Sequence, residues 1–545
     1  MEPSLEGTLA SAGGYTQGPY EACFVGWIGA GDPVGLFGRT ATIAAMTTAT
    51  ETRRVVADVL RHGASEWPDR PAVSFEQGSF TYAELWSRAR RAAAAFRAAG
   101  VGRGDAVLVM LDNVIEFLDA WLGLALIGAV QVPVNCEYRG EVMAHQVRNS
   151  GARLMLIAPD YVERIDALRP NVGDLERLLI LGGPWEELCA AEPELPEDEI
   201  TEARGSDVVA IMYTSGTTGP SKGVRIAHAH AYTYAQRAGQ VLRLTAGDIY
   251  YAPLPLFHIA GQWALVYAAL QVGASAVVRR RFSATEFWST VRASRANVSF
   301  LLGAMANLLA RQEPRPDDAD NSMERMLLVP LVAGLEAFKR RFGVNVCTCY
   351  GSTEVNVPIA SDFSVTDPSV AGKALPGFDL LLADQDDCEV PVGQVGELLV
   401  RAHEPWVIAT EYQGNPEATV HAFRNLWLHS GDAFRKDAQG TYYFVDRIKD
   451  YIRRRGENIS SFEVEREVNT HPAVLESAAV ALKSELGEDD LKVVVAAKPG
   501  MTVEADELRE YLRARLPRFM VPDIVEVVAE LPKTPTGKVQ KHLLR

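Results

Sequence analysis

Apolar and polar positions alternate along the chain in short apolar runs separated by longer amphipathic stretches. A helix is predicted from about residue 52. Thr81-Tyr82-Ala83-Glu84 has the spacing of a capping box, which predicts a helix over 81–99 closed by Gly100. Residues 106–111 read as an apolar strand, 114–128 as a helix, 130–134 as a strand, 141–149 as a helix and 154–158 as a strand. Alternation of this kind predicts an α/β fold with a largely parallel sheet. The run 250–278 contains no Asp, Glu, Lys or Arg and is long enough to raise the question of a membrane span. Pro253, Pro255, His258, Gln262 and Gln271 interrupt it, so it reads as a buried loop, helix and strand, and no span is expected. The Pro- and Asp-rich stretch 313–321 reads as a surface connection.

The pattern changes near 446–450. Ser460-Ser461-Phe462-Glu463 has capping-box spacing, and its helix stops before Pro472. Strands over 478–482 and 492–497, a helix over 505–516 and a strand over 524–528 follow. The reading is a large α/β domain over 46–448 and a small mobile α+β domain over 449–545. Residues 1–45 are Gly-rich with no sustained period and are expected to be a translated leader or a disordered tail, with Met46 as the natural start. Peptides from 1–45 in the natural protein would overturn that expectation. No internal repeat is visible.

Composition narrows the function classes. With 545 residues, 48% of them hydrophobic and 23% charged, the chain can bury a sizeable core in more than one domain. Collagen-like, disordered and disulfide-scaffold classes are excluded. The 70 acidic and 54 basic residues leave a net charge of −16, a poor match to a phosphate backbone, so no nucleic-acid partner is expected. A local basic pocket for one nucleotide remains compatible with it. The six cysteines are sparse, and the one close pair, Cys347-x-Cys349, has neither redox nor zinc spacing. Glu2 and Glu6 precede the first basic residue, Arg39, so no signal peptide is visible. Together these features point to a reduced, cytoplasmic protein.

The strongest chemical signal is Tyr213-Thr214-Ser215-Gly216-Thr217-Thr218-Gly219-Pro220-Ser221-Lys222-Gly223-Val224, directly after the apolar run 208–212. A strand feeding a loop of glycines and hydroxyls presents backbone N–H groups to phosphates, and Lys222 adds a mobile positive charge. The residues flanking the lysine, Ser221 and Gly223, exclude a Walker A loop. Three glycines, four hydroxyls and a lysine in this order are hard to reconcile with a plain surface turn. The ten histidines are scattered, and no H-E-x-x-H or G-x-S-x-G supports a metalloprotease or a Ser-His-Asp hydrolase.

This segment resembles the phosphate-loop signature of the acyl- and aryl-adenylating superfamily, which includes acyl-CoA synthetases, peptide adenylation domains and luciferase. The similarity runs from about residue 52 to the C-terminus. The segments 448–460 and 532–541 most resemble crotonobetaine/carnitine-CoA ligase-like enzymes. The resemblance implies a large N-terminal domain, a mobile C-terminal domain and an active site between them. It assigns Thr214, Ser215, Gly216, Thr217, Thr218 and Lys222 to the ATP phosphates. Tyr350, Gly351, Ser352 and Thr353 would flank the adenine, and Glu354 would hold Mg²⁺ against the phosphates, as suits a hard cation. Asp432, in Ser430-Gly431-Asp432, corresponds to the acceptor of both ribose hydroxyls, and Arg447 to a ribose and phosphate contact. Lys449 occupies the hinge. Lys538, in Pro535-Thr536-Gly537-Lys538, corresponds to the lysine that enters the site for adenylation, with Lys533 and Lys541 as solubilising tail lysines.

Gly456 would let the pantetheine arm of CoA approach, with Arg455 or a neighbouring arginine on a CoA phosphate. His258 falls where the family places a gate beside the acyl and thiol tunnels, although a core histidine is an equal reading. Amino-acid-activating relatives carry an aspartate at this motif; its absence favours a simple carboxylic acid. The implied reaction uses ATP, Mg²⁺ and CoA to make acyl-CoA, AMP and pyrophosphate, in a monomer or homodimer. Two other readings stay open: transfer to a carrier protein or amine, and a non-catalytic binding homologue. One departure is plain: Leu328-Val329-Pro330-Leu331-Val332-Ala333-Gly334 replaces the Gly-Gly-Ala-Pro-like turn of many members. Phe257–Trp263 and 301–305 are expected as further pocket segments; Trp263 or Tyr267 could face a quaternary ammonium if the acid is carnitine-like, with ordinary core an equal reading for each. The segment around Lys538 also resembles a site silenced by acetylation, which would remove the charge that adenylation needs.

Overall fold

Local signals set the helix ends. In the computed structural model Thr81 caps the helix Tyr82–Ala98, its hydroxyl accepting from Glu84 N while Glu84 reaches back to Thr81 N. Gly100 follows with φ +88°, the left-handed turn that favours glycine. The structure describes residues 54–545 apart from 215–220, 449–451, 455–456, 460, 484–488, 517 and 535–536. The expectations for 1–45, for Ser215, Gly216, Thr217 and Thr218, for Lys449, Arg455 and Gly456, and for a cap at Ser460 lie outside the described residues.

Three large sheets follow. In the first the strand order is Asn345–Cys347, Arg325–Val329, Val298–Leu302, Ile249–Ala252, Ser275–Val278, Pro71–Phe75 and Gly78–Thr81. In the second it is Arg177–Ile180, Leu154–Ile157, Ala106–Met110, Val130–Pro133, Val208–Thr214 and Lys222–Ala227. Both are parallel except for the final strand. The predicted strands and helices of 106–158 stand within two residues of their expected bounds. Between the sheets, the helix Ile115–Leu126 is buried along its whole length. It packs so closely on Tyr82–Ala98 that a Cβ on Gly123 would lie 2.8 Å from the Ala92 methyl.

The third sheet departs from the expected parallel pattern. Its seven strands, in the order Cys349–Ser352, Asn356–Ala360, Val370–Ala374, Thr441–Arg447, Leu428–Lys436, Val395–Ala402 and Phe378–Ala383, are antiparallel throughout. The cause is local: a tight turn at Asp437–Gly440, with Gly440 at φ +77°, permits only antiparallel pairing of its two strands. Between the strands Asn345–Cys347 and Cys349–Ser352 the pairing breaks at Thr348, where the chain leaves the parallel sheet for the antiparallel one. Thr348 is pinned there by bonds to Leu328 O (2.7 Å) and from its own N–H to Ser361 Oγ (2.9 Å).

The apolar run 250–278 is a strand, a π-helix Ala260–Tyr267, the helix Ala268–Val272 and a second strand. Among the described residues no helix is long and apolar enough to cross a membrane. Gly261 has no alternative, since a Cβ there would sit 2.1 Å from Pro255 O. The smaller C-terminal region carries the two-stranded sheet Ile452–Arg454 with Glu457–Ile459. A three-stranded sheet of Val474–Lys483, Asp489–Ala497 and Ile524–Val528 packs with Ser461–Val468 and Ala505–Arg513.

The helix His228–Leu242 carries two buried histidines. His228 Nδ1 accepts from Val56 N at 3.3 Å, whereas neither ring nitrogen of His230 has a partner. Burial lowers His228 to about 4 and His230 to about 3. The unfolded histidines titrate near 6.5. Below that pH the unfolded chain binds protons that the native state refuses, so stability falls as pH drops from 6.5 towards 4, by roughly 3 kcal/mol per histidine. Urea unfolding at pH 7, 5.5 and 4.5 should show this slope, and His230→Leu should flatten it. An unchanged slope in that variant would contradict the assignment.

Candidate active site

A cleft of ≈ 360 Å³ opens where the second and third sheets and the C-terminal region meet. Its walls include Thr214, His258, Tyr350, Glu354, Asp432, Arg447 and Lys538. Gly351, Ser352, Thr353, Ser430 and Gly431 complete the same face. A sequence separation of more than three hundred residues is thus closed by the fold, and most of the sequence-predicted site residues that the structure describes share one cleft.

Tyr350 and Asp432 form its inner end. The Tyr350 hydroxyl donates to Asp432 Oδ2 at 2.6 Å, and the Tyr350 ring meets Phe434 edge-on at 4.7 Å. Asp432 pairs with Arg447 across the antiparallel register, with Arg447 Nε at 3.5 Å from its Oδ1. Burial raises the Asp432 carboxyl, against the lowering effect of Arg447 and Tyr350. Gly351 is required by packing, because a Cβ would meet Asn356 O at 2.5 Å.

Glu354 lies at the other end. Its Oε2 accepts from Ser352 Oγ (3.1 Å) and its Oε1 from the Tyr412 hydroxyl (3.2 Å). Lys222 stands over the Tyr412 ring, its Nζ 4.7 Å from the centroid. Among the described residues no group of three or more His, Cys, Asp or Glu is placed to hold a metal. Glu354 nevertheless fits Mg²⁺ that arrives with a polyphosphate, for one carboxylate beside phosphate oxygens is the usual protein share of such a site. His145 Nε2 lies 2.9 Å from Ser221 O, and the Tyr213 hydroxyl donates to Asn149 Oδ1 at 2.7 Å.

His258 is half-buried and its Nδ1 accepts from Ala260 N at 3.2 Å. Burial, and then the nearby Lys538 charge, push it down to about 4. It is therefore a neutral imidazole whose Nε2–H is left for the cleft.

Lys538 reaches the cleft from the C-terminal region. Desolvation there and the like charge of Arg447 lower its ammonium, while Asp432 and Glu354 act the other way. Several contacts hold the region in this orientation. Ser461 N and Oγ both donate to Asp446 Oδ2, at 2.6 and 2.5 Å, and Arg311 donates to Leu475 O. Phe462 meets Phe444 edge-on at 5.9 Å. Two expectations are corrected here. Lys541 is no idle tail lysine but pairs with Glu465 at 2.8 Å and donates to Ser461, and Lys533 pairs with Glu476 at 2.7 Å.

For Trp263 and Tyr267 the core reading is the one the structure bears out. Both are 0% exposed inside the π-helix, so neither faces a ligand, and both are core. Of the other pocket segments, Phe257 and Met305 line a neighbouring cavity of ≈ 580 Å³ that shares Asn135 and Phe257 with the cleft. Its rim carries Arg280, paired with Asp112, and the exposed Arg281. Leu301 is buried, and the departing turn contains a cis Val329–Pro330 bond. Sequence reasoning missed Tyr234 and Phe444 as cleft residues, and Tyr412 beside Lys222 and Glu354. For Tyr412 the available signal was the Asn415-Pro416 helix start, which fixes a turn three residues later but not its neighbours.

The family described as AMP-binding enzyme matches residues 60–410, and the one described as AMP-binding enzyme C-terminal domain matches 463–538. A crotonobetaine/carnitine–CoA ligase of Citrobacter koseri is 30% identical over 501 residues, covering 88% of this chain and 97% of that protein. Solved structures with the same architecture include a benzoate CoA ligase from Burkholderia xenovorans LB400. It is 25% identical with a TM-score of 0.81, over 90% of this chain and 99% of that one. The o-succinylbenzoate CoA synthetase of Bacillus subtilis, in complex with its acyl-adenylate intermediate, is 26% identical with a TM-score of 0.80. It covers 89% of this chain and 97% of that one.

Proposed function

We propose, from the premise that this chain belongs to the AMP-binding enzyme family, that it is an ATP-dependent acyl-CoA synthetase acting on a carboxylic acid without an α-ammonium group. The observation that carries the reading is the placement of Lys538 in one cleft with Glu354, Asp432, Arg447 and His258. A nucleotide fits with its ribose on Asp432 and its adenine beside Tyr350. The phosphates then run towards Lys222 and Glu354. Glu354 and the phosphates would hold Mg²⁺, which would supply charge neutralisation there.

The substrate carboxylate attacks the α-phosphorus, pyrophosphate leaves, and an acyl-adenylate forms. Negative charge concentrates on the α-phosphoryl oxygens during attack, and the Lys538 ammonium offsets it in a partly desolvated site where the offset is large. The C-terminal region then turns about Lys449, withdrawing Lys538. The CoA thiolate attacks the acyl carbon, AMP leaves, and the thioester is complete. The neutral His258 lines the cleft next to Phe257, which the neighbouring cavity shares, and its Nε2–H can hydrogen-bond the acyl oxygen or the incoming sulfur without repelling Lys538. The cavity beyond it, with Arg281 at the rim, suits the phosphates of a CoA-sized acceptor.

Mass spectrometry of the purified protein with MgATP and a panel of carboxylic acids, with and without CoA, tests this. Acyl-CoA and AMP are expected together. Acyl-adenylate that accumulates despite CoA would overturn the acceptor and direct the search to carrier proteins and amines.

A further inference from the structure

Three stretches that are remote in sequence meet at Tyr412. Lys222 begins the edge strand Lys222–Ala227 of the second sheet, Glu354 follows the strand Cys349–Ser352 of the third, and Tyr412 lies on the connection between the third sheet's strands Val395–Ala402 and Leu428–Lys436. The Tyr412 backbone is held tightly. It bridges Val224 in antiparallel fashion, its N–H donates to Thr419 Oγ1 at 3.0 Å, and its carbonyl accepts from Asn415 N at 3.1 Å. On either side Gln413 N donates to Gly223 O (2.7 Å) and Arg225 N to Glu411 O (3.1 Å). The point from which the ring projects is therefore set by the main chain.

What the ring then does follows from its two faces of chemistry. A lysine and a glutamate that can touch form an ion pair and occupy each other. Here the ammonium lies over the π face, which attracts it without using its N–H donors. The carboxylate takes one neutral hydroxyl on Oε1 and another on Oε2, which orients it and leaves its charge uncancelled. Both groups stay available for a triphosphate and its cation.

We infer that Tyr412 is a positioning residue for MgATP, holding Lys222 for the phosphates and Glu354 for the cation on a single phenol. The inference rests on the acyl-CoA synthetase reading above and adds a residue to it.

The test uses the full chain with Tyr412→Phe and Tyr412→Leu, their folding checked by circular dichroism and thermal midpoint. ATP affinity is measured by calorimetry in EDTA and again in saturating Mg²⁺, and each half-reaction is assayed separately. Tyr412→Phe keeps the ring and loses the hydroxyl. Its affinity in EDTA should stay within about twofold of wild type, while the gain on adding Mg²⁺ shrinks by about tenfold or more, the usual worth of one hydrogen bond to a charged group. Tyr412→Leu should also weaken binding in EDTA. Adenylation should suffer more than acyl transfer from supplied acyl-adenylate, because the second step contains neither the triphosphate nor its metal. In a Glu354→Gln background Tyr412→Phe should have no further effect on the Mg²⁺ gain. An undiminished Mg²⁺ gain in Tyr412→Phe, or equal loss in both half-reactions, overturns the role of Tyr412. Wild-type protein that binds no ATP would overturn the synthetase reading and the inference with it. If Tyr412→Leu fails to fold, the phenylalanine variant decides alone.

Discussion

Lys538→Ala should slow acyl-adenylate formation by about 10²–10³-fold, the range found when a preorganised electrostatic donor is removed from a transition state. Transfer of the acyl group from supplied acyl-adenylate to CoA should fall far less. The asymmetry has a geometric origin. Lys538 lies in the cleft with Asp432 and Glu354 in the orientation seen here, and it belongs to the C-terminal region, which the proposed second step carries away. A pH signature should accompany it. Desolvation and Arg447 lower the Lys538 ammonium, so adenylation should be lost on the alkaline side at a pH below the usual lysine range, as the ammonium deprotonates. The second half-reaction should lack that limb. Single-turnover assays of the two steps across pH measure both points, and equal losses in the two steps would sink the division of labour.

Asp432→Ala should raise the KM for ATP by about 10–100-fold, as expected for loss of hydrogen bonds to a charged acceptor. Asp432 is 7% exposed and lies between the Tyr350 hydroxyl and Arg447, so the alanine also leaves a phenol and a guanidinium without their partner. Unlike Lys538→Ala, this variant should impair both half-reactions, because the ribose is present in ATP and in the acyl-adenylate. Asp432→Asn, which preserves shape and removes charge, should fall between the two proteins. An unaltered KM, or a loss confined to adenylation, would remove Asp432 from the nucleotide site. Taken together, Lys538 and Tyr412 predict losses concentrated in adenylation and Asp432 a loss in both half-reactions, a contrast that a general loss of stability would not produce.

Much of this was legible in the sequence where the physics is short-range. The capping box at Thr81 works within one helical turn, and the structure has it in place. The phosphate-loop lysine, the Tyr350–Glu354 stretch and Asp432 each sit in a local motif, and the fold gathers Tyr350, Glu354 and Asp432 into one cleft with Lys538. The antiparallel third sheet was missed because periodicity reports burial and not strand direction. Trp263 and Tyr267 were left open between pocket and core for a related reason: an apolar run rich in aromatics looks the same whether it lines a pocket or fills a core, and only the π-helix with its neighbours decides.

The sequence by itself determined the family, the α/β class and the residue types that the fold gathers at the cleft, because backbone turns, caps and charge placement act over a few residues. Only the tertiary structure decided that Lys541 and Lys533 are tied into ion pairs, that His258 is a neutral imidazole beside Lys538, and that one phenol serves both Lys222 and Glu354. Each of these depends on side chains brought together from distant parts of the chain, and on the loss of water around them, neither of which a local pattern encodes.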